Sequence, residues 1–160
     1  MMVDELAEWL HECREVFPKL NKYKITCEYG KLSKNVLGCT SRLIRREISA
    51  DDILLFGESR KPEKEFEIKI NEKLKKIERE NVRKEIVQYI MVHELLHLEN
   101  KDLSTLSKNY KKRKKKKIHV KEFDNEVFER YNKLRELKGL SRIQKIEDLE
   151  FAIHKIISKI

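Results

Sequence analysis

Glycine and proline are scarce in this chain, which holds four and two of them in 160 residues. That scarcity, together with 41% charged residues, favours a compact, soluble chain rich in helices. The three cysteines are odd in number and show no CxxC spacing, so we expect them to be reduced and structural. Neither a run of 18 apolar residues nor a basic-then-apolar leader is visible, so we expect a cytoplasmic protein with no membrane partner.

Positive charge is distributed unevenly along the chain. Residues 101–121 hold ten basic residues and one acidic residue, a net charge of +9 that equals the net charge of the whole chain. A block of like charges is typical of a solvated loop. The seven consecutive cations Lys111–Lys117 could also neutralise phosphates of a nucleic acid without regard to its sequence, with Tyr110 stacking on an unpaired base. Both interpretations of this basic loop stay open.

The first half of the chain has the pattern of a helix followed by about three strands. Apolar residues at three- and four-residue steps predict an amphipathic helix over residues 2–17. Alternation with a period of two predicts strands at 23–29 and 65–70. Residues 35–49 are expected to form another strand, in which Gly38 allows a bulge or a close approach.

The second half has a helical period. Asn81 is a plausible N-cap for a helix over 82–99, which is apolar around most of its circumference and is therefore expected to be central and buried. A further amphipathic helix follows the basic loop and is closed by Gly139. Residues 141–160 carry a near-heptad apolar stripe, which predicts a C-terminal amphipathic helix. The expected fold class is therefore α+β, in one domain.

The pentapeptide His93-Glu94-Leu95-Leu96-His97 lies inside the predicted central helix. Two histidines four residues apart lie on one face of a helix, about 6 Å apart along its axis, so both imidazoles can bind one metal ion. Glu94 lies at the edge of that face, within reach of a metal-bound water. This HExxH pattern predicts a zinc site with Glu94 as general base. A metal ion would also offset the cost of burying two histidines and a glutamate.

A catalytic zinc site uses three protein ligands and keeps one position open. With His93 and His97 assigned, the candidate for the third ligand is His119, which directly follows the basic loop. His119 precedes Phe123 by four residues, so it lies on the core-facing stripe of the next helix if that helix starts there. Glu126 lies on the same stripe.

The order of strand, HELLHL-bearing helix, variable loop and the segment His119-Val120-Lys121-Glu122-Phe123 resembles the SprT-like (Spartan-like) metallopeptidases. That family carries HExxH followed by a third histidine in an HxxEF-type motif, and the resemblance covers roughly residues 20–138. It implies a small zincin-like metallopeptidase domain over 1–140, in which 101–118 is a basic loop insertion, with the C-terminal helix 141–160 beyond it. It also implies Zn2+ held by His93, His97 and His119.

The chain departs from that family in two respects. The segment between His97 and His119 holds 21 residues and has Leu103-Ser104 where relatives with a short connection place a histidine–serine pair. The cysteine-rich C-terminal zinc ribbon of some members is also missing. The second resemblance is to the minigluzincin type, in which a glutamate on the following helix is the third ligand. It implies Glu126, or next Glu122, in place of His119; with His119 as ligand, Glu126 could instead orient one.

These observations predict a zinc-dependent endopeptidase that hydrolyses peptide bonds of a protein or peptide substrate, and the basic loop could direct it to proteins associated with nucleic acid. Glu94 would move the proton from the metal-activated water to the leaving amine. An extended substrate could pair with an exposed sheet edge, for which strand 65–70 is the candidate, and Tyr131 or Arg130 could stabilise the oxyanion. The alternatives are a non-catalytic, zinc-containing nucleic-acid-binding module and a metal-dependent nuclease. The glutamate directly after the first histidine favours peptidase chemistry.

Overall fold

The structure is a computed structural model that describes residues 4–43, 65–100 and 117–160, with side chains for 4–41, 65–100 and 121–160. In chain order its main elements are α1 (Glu5–Arg14), β1 (Lys24–Gly30), β2 (Gly38–Leu43), β3 (Glu65–Asn71), α2 (Glu80–Glu99), α3 (Lys117–Leu137) and α4 (Ile146–Ile157). Two short 3-10 helices, Pro18–Leu20 and Glu72–Lys76, follow α1 and β3. The expected α+β class is confirmed. Most of the basic loop, including 101–116, lies outside the described residues.

The three strands form one sheet in the order β1-β3-β2. β1 runs parallel to β3, and β2 runs antiparallel to it. The expectation that strand 65–70 is an exposed edge is therefore wrong, because β3 has a neighbour on each side. Alternation along a strand reports that one face is buried, but it does not report the position of the strand in the sheet. Among the described residues, β2 is the edge strand beside the central helix.

The long helix α2 lies at the centre of the fold, as its apolar circumference predicts. It packs against α1, α3 and the sheet. Ten of its residues are buried, including Met91, Leu95 and Leu96. The helix begins at Glu80, and Arg79 occupies the N-cap position without a side-chain hydrogen bond. Asn81 is therefore inside the first turn, and the prediction that it caps the helix is wrong.

α3 and α4 run through the C-terminal part of the chain. α3 ends before Gly139, whose φ of 75° lies in the left-handed region that glycine adopts freely. Asn132 is fully buried and binds Ile143 twice, donating to its carbonyl at 3.1 Å and accepting from its N–H at 2.9 Å. α4 has no fully buried residue, although an apolar face rests on the core. No helix within the described ranges is long and apolar enough to cross a membrane.

Candidate metal centre

His93 and His97 are brought together by successive turns of α2. Their Nε2 atoms lie 3.1 Å apart, and their ring centroids are 4.7 Å apart. Zinc–nitrogen bonds of 2.0–2.1 Å in a tetrahedral site place two ligand nitrogens about 3.3 Å apart. The two imidazoles therefore already converge as a chelating pair would, and only a small outward movement of the two nitrogens would admit the ion.

Phe123 of α3 packs against both histidines. Its ring stacks on His97 with centroids 4.3 Å apart and meets His93 edge-on at 5.0 Å. Aromatic contacts of this kind restrict the rotation of both imidazoles, so Phe123 orients the pair from the side of α3. The sequence motif ending in Phe123 is thus in direct contact with the HExxH motif.

His119 lies on the backbone of α3, two residues after the helix begins. It precedes Phe123 by four residues, so the two positions share one face of the helix backbone. The His119 side chain lies outside the described side chains. Among the side chains that are described, no group of three histidine, cysteine, aspartate or glutamate residues could hold a metal ion.

The alternative ligand Glu126 is engaged elsewhere. Its carboxylate accepts from Arg130 Nε at 3.0 Å. Arg130 also pairs with Glu99 at 2.8 Å and donates to the carbonyl of Val16 at 2.8 Å. The described side chains therefore bring together two imidazole nitrogens of α2 and do not add Glu126 to them.

Glu94 faces the sheet, beside the histidine pair. Its side chain is buried, at 7% relative exposure, and Thr40 Oγ1 of β2 donates to Glu94 Oε2 at 2.6 Å. Burial raises the pKa of Glu94, and the hydrogen bond from Thr40 lowers it. Sequence reasoning missed Thr40, because its hydroxyl reaches the glutamate only through the packing of β2 against α2.

Gly38 explains how β2 comes so close to α2. A Cβ at this position would lie 2.5 Å from Ile90 Cγ2 and 3.3 Å from the carbonyl oxygen of Lys69. Only glycine allows this approach without a shift of one element. The predicted close approach at Gly38 is confirmed. Thr40 lies two residues after Gly38 on β2, and Glu94 lies one turn after Ile90 on α2. The close approach of Gly38 to Ile90 therefore sets the distance between Thr40 and Glu94.

Its surroundings keep His93 neutral. Burial, and to a lesser extent the neighbouring His97, lower the pKa of His93 against an opposing effect of Asp124, and the resulting pKa is about 4. Burial raises the pKa of Asp124, and His93 lowers it. Neutral imidazoles present the lone pairs that a metal ion needs. Asp124 directly follows Phe123, but no sequence signal marked it as a neighbour of His93.

Tyr131 and Arg130, the two oxyanion candidates, have other partners. Tyr131 is 2% exposed, and its hydroxyl donates to the carbonyl of Glu85 at 3.3 Å. Its ring meets Tyr89 edge-on at 5.3 Å. These contacts, and the ion pairs of Arg130, fasten α3 to the body of the fold. Neither side chain is directed at the histidine pair by these contacts.

Comparison of the chain with models of known families, with curated proteins and with solved structures finds no match.

Proposed function

We propose that this chain is a zinc-dependent endopeptidase with a zincin-like domain, similar to the SprT-like metallopeptidases. The observation that carries the proposal is that α2 and β2 bring together a histidine pair, a glutamate and a hydroxyl. His93 and His97 converge with their Nε2 atoms 3.1 Å apart, and the residue after the first histidine is a buried glutamate held by a hydroxyl. A purely structural metal site has no need of that glutamate.

The ion would be held by His93, His97 and His119. The donor set fits zinc, because neutral imidazoles are preferred zinc ligands and burial keeps His93 neutral. Bound zinc supplies a water of lowered pKa and a Lewis acid for the substrate carbonyl. Phe123 holds the two imidazoles of α2 in their converging orientation. His119 precedes Phe123 by one turn of α3 and completes the set.

Glu94 is the general base of the proposed reaction. Thr40 donates to Oε2, which leaves Oε1 to accept the proton of the attacking water and to deliver it to the leaving amine. Burial raises the pKa of the carboxyl, and this makes the carboxylate a stronger base than one in water. The hydrogen bond also fixes the side-chain torsions, so the same oxygen faces the reacting atoms in each turnover.

An extended substrate would pair with β2. This strand is the sheet edge beside α2 in the described part of the chain, and it carries Thr40. Main-chain hydrogen bonds to an edge strand align a peptide without requiring a particular sequence. The scissile bond would then lie next to Glu94. The proposed edge is thus β2, which replaces the strand 65–70 named on sequence grounds.

Glu94→Gln tests the peptidase proposal. The variant should keep its zinc, measured by elemental analysis, and lose cleavage of casein. Glu78→Gln is the matched control, because Glu78 is exposed on the segment before α2 and undergoes the same chemical change. Cleavage of casein by the Glu94 variant would refute the mechanism. The nuclease alternative would be favoured if the natural chain degraded RNA and if variants that lack His93 or His97 did not.

The basic loop supplies a proposed second property, namely sequence-independent binding of nucleic acid through Lys111–Lys117 that directs the peptidase to associated proteins. Its charge supports the proposal, because the net charge of the whole chain is concentrated there. Replacing the seven cations with glycine and serine should weaken DNA binding, flatten its salt dependence and abolish any preference for a DNA-bound substrate. If all three are unchanged, the loop is a linker. DNA binding with intact zinc but no cleavage by the natural chain would favour the non-catalytic module.

A further inference from the structure

A crevice of about 630 Å³ opens at one end of the sheet, where the parallel strands β1 and β3 both finish. Lysine supplies five of its eight lining residues, and a single glutamate, Glu72, is the acidic one. The lysines come from two short segments of similar sequence, Lys31-Leu32-Ser33-Lys34 after β1 and Lys73-Leu74-Lys75-Lys76 after β3. The five are Lys31, Lys34, Lys73, Lys75 and Lys76.

The two walls of this lysine crevice are held together by Asn71, the last residue of β3, which is 4% exposed. Its side-chain amide donates to the carbonyls of Ser33 at 3.2 Å and Val36 at 2.8 Å. Its side-chain oxygen accepts from the N–H of Lys73 at 3.1 Å, and its own N–H donates to the carbonyl of Leu37 at 2.8 Å. The crevice is therefore a built feature of the fold, with its two lysine segments at a fixed separation.

The charges in the lysine crevice are not neutralised by the protein. Lys73 Nζ donates to the carbonyl of Lys34 at 2.6 Å, and Lys75 Nζ lies 4.9 Å from the ring centroid of Tyr29. Both partners are uncharged. None of the five lysines forms an ion pair with a carboxylate in the part of the chain that the structure describes, whereas Lys24 and Lys69 on the strands do. Five ammonium groups around one concave surface attract a ligand of several negative charges.

We propose that the lysine crevice binds consecutive phosphate groups of a phosphate chain. Ammonium groups recognise phosphate as point charges and do not impose the planar geometry that arginine does, so the contacts favour charge density over chemical detail. The ring of Tyr29 is covered by Lys75, and its hydroxyl bonds Glu5, so it does not serve as a stacking platform for a base. The ligand is thus recognised by its backbone and not by its sequence.

Two sources share this chemistry, the backbone of a nucleic acid and a free oligophosphate. The lysines of the crevice are separate in sequence from the basic loop, and the site does not rest on the proposed peptidase activity. It does lie near the proposed substrate edge, because Leu37, which Asn71 binds, is three residues before Thr40, about 10 Å along an extended strand. A protein bound to the same phosphate chain would therefore be held close to β2.

Lysine acetylation of the full chain, read by mass spectrometry, tests the site without any substitution. Tripolyphosphate or an oligothymidylate should protect Lys31, Lys34 and Lys76 from acetylation by fivefold or more. Lys19, Lys133 and Lys155 are exposed lysines away from the crevice and should not be protected. Equal protection of the two sets, or protection of neither, would overturn the proposal.

A matched pair of triple variants provides the second measurement. K31Q/K34Q/K76Q removes three crevice charges but keeps the contacts of Lys73 and Lys75, and K19Q/K133Q/K155Q removes three charges elsewhere. The crevice variant should bind the oligothymidylate at least tenfold more weakly than the control variant. The slope of log affinity against log salt concentration should be smaller by about 2, because each of three lost contacts to a single-strand phosphate contributes about 0.7. Equal losses in the two variants would overturn the site. If tripolyphosphate displaces the oligothymidylate at a similar concentration of phosphate groups, a free oligophosphate is sufficient as the ligand. If it does not displace the oligothymidylate, the ligand is the nucleic-acid backbone.

Discussion

Thr40 and Glu94 lie 54 residues apart in sequence, yet the threonine hydroxyl donates to the glutamate carboxylate at 2.6 Å. The bond joins the edge strand β2 to the central helix α2. It places the proposed general base and the proposed substrate edge in one rigid unit. Any movement of β2 relative to α2 would therefore move the base relative to the substrate.

Replacing Thr40 with valine keeps the shape of the side chain and removes the donor. Loss of a hydrogen bond to a charged group costs about 1.5–3 kcal/mol, so cleavage should slow by roughly 10- to 100-fold. Because the bond lowers the pKa of Glu94, its loss should raise that pKa and move the acidic limb of the pH–rate profile to higher pH. The zinc content should be unchanged. Thr40→Ser keeps a hydroxyl and should retain most of the activity; equal rates for the valine and natural proteins would remove Thr40 from the mechanism.

The ligand set is tested by removing one side chain at a time. His93→Ala, His97→Ala and His119→Ala should each lose bound zinc, measured by elemental analysis after gel filtration, because two remaining ligands bind zinc weakly. His11→Ala is the control, since His11 is exposed on α1. Glu126→Ala should retain zinc. Full zinc in the His119 variant together with loss in the Glu126 variant would assign the glutamate as the third ligand instead.

The metal-free protein should lose stability in mild acid because of His93. Its pKa in the folded protein is lowered to about 4, below the 6.5 of an unperturbed histidine, so the unfolded chain binds the proton first. The contribution of neutral His93 to the free energy of unfolding is complete above pH 6.5 and is lost as the pH falls toward 4. At pH 5 it amounts to a loss of about 2 kcal/mol in the free energy of unfolding. Urea denaturation at pH 7 and pH 5 measures it.

The free energy of unfolding should differ less between pH 7 and pH 5 in His93→Gln than in the natural protein, by about the same 2 kcal/mol, since glutamine does not titrate. His154→Gln, a change of the same kind on the exposed side of α4, should leave the difference as it is. A His93 variant with the pH dependence of the natural protein would show that other groups are responsible.

The close approach at Gly38 should be sensitive to a single methyl group. Gly38→Ala places a Cβ 2.5 Å from Ile90 Cγ2, so β2 or α2 must shift, at a cost of about 1–3 kcal/mol. Ile90→Leu removes the branch methyl at the β-carbon, and the double variant should recover part of that loss in a double-mutant cycle measured by urea denaturation. Additive losses would mean that Ile90 is not what limits the approach.

The local pattern of the sequence was sufficient for much of this fold. The 3.6-residue period identified α2 as a buried helix and so put His93 and His97 on one face, and the period of two identified β1 and β3. The apolar period of α3 correctly predicted that Phe123 faces the core, and the structure adds that Phe123 packs against the histidine pair. These features depend on spacing along one element.

What could not be predicted depends on how distant elements meet. The strand order decides that β3 is internal and that β2 lies at the edge, and no local period encodes it. Thr40 and Asp124 became neighbours of the HExxH residues only through tertiary packing. The lysine crevice likewise arises because two parallel strands end side by side, which brings together two segments about 40 residues apart.

The double hydrogen bond between Asn132 and Ile143 determines how the C-terminal end of the chain should come apart. α4 buries none of its residues completely, and Phe151 is 69% exposed, so few contacts resist its detachment. These two hydrogen bonds, called here the amide clamp, hold the chain at Ile143 while the segment after it, including α4, opens as one unit. Amide protons of 146–157 should thus exchange in a separate, low-energy opening, long before those of α2, and the clamp marks the point at which that opening stops.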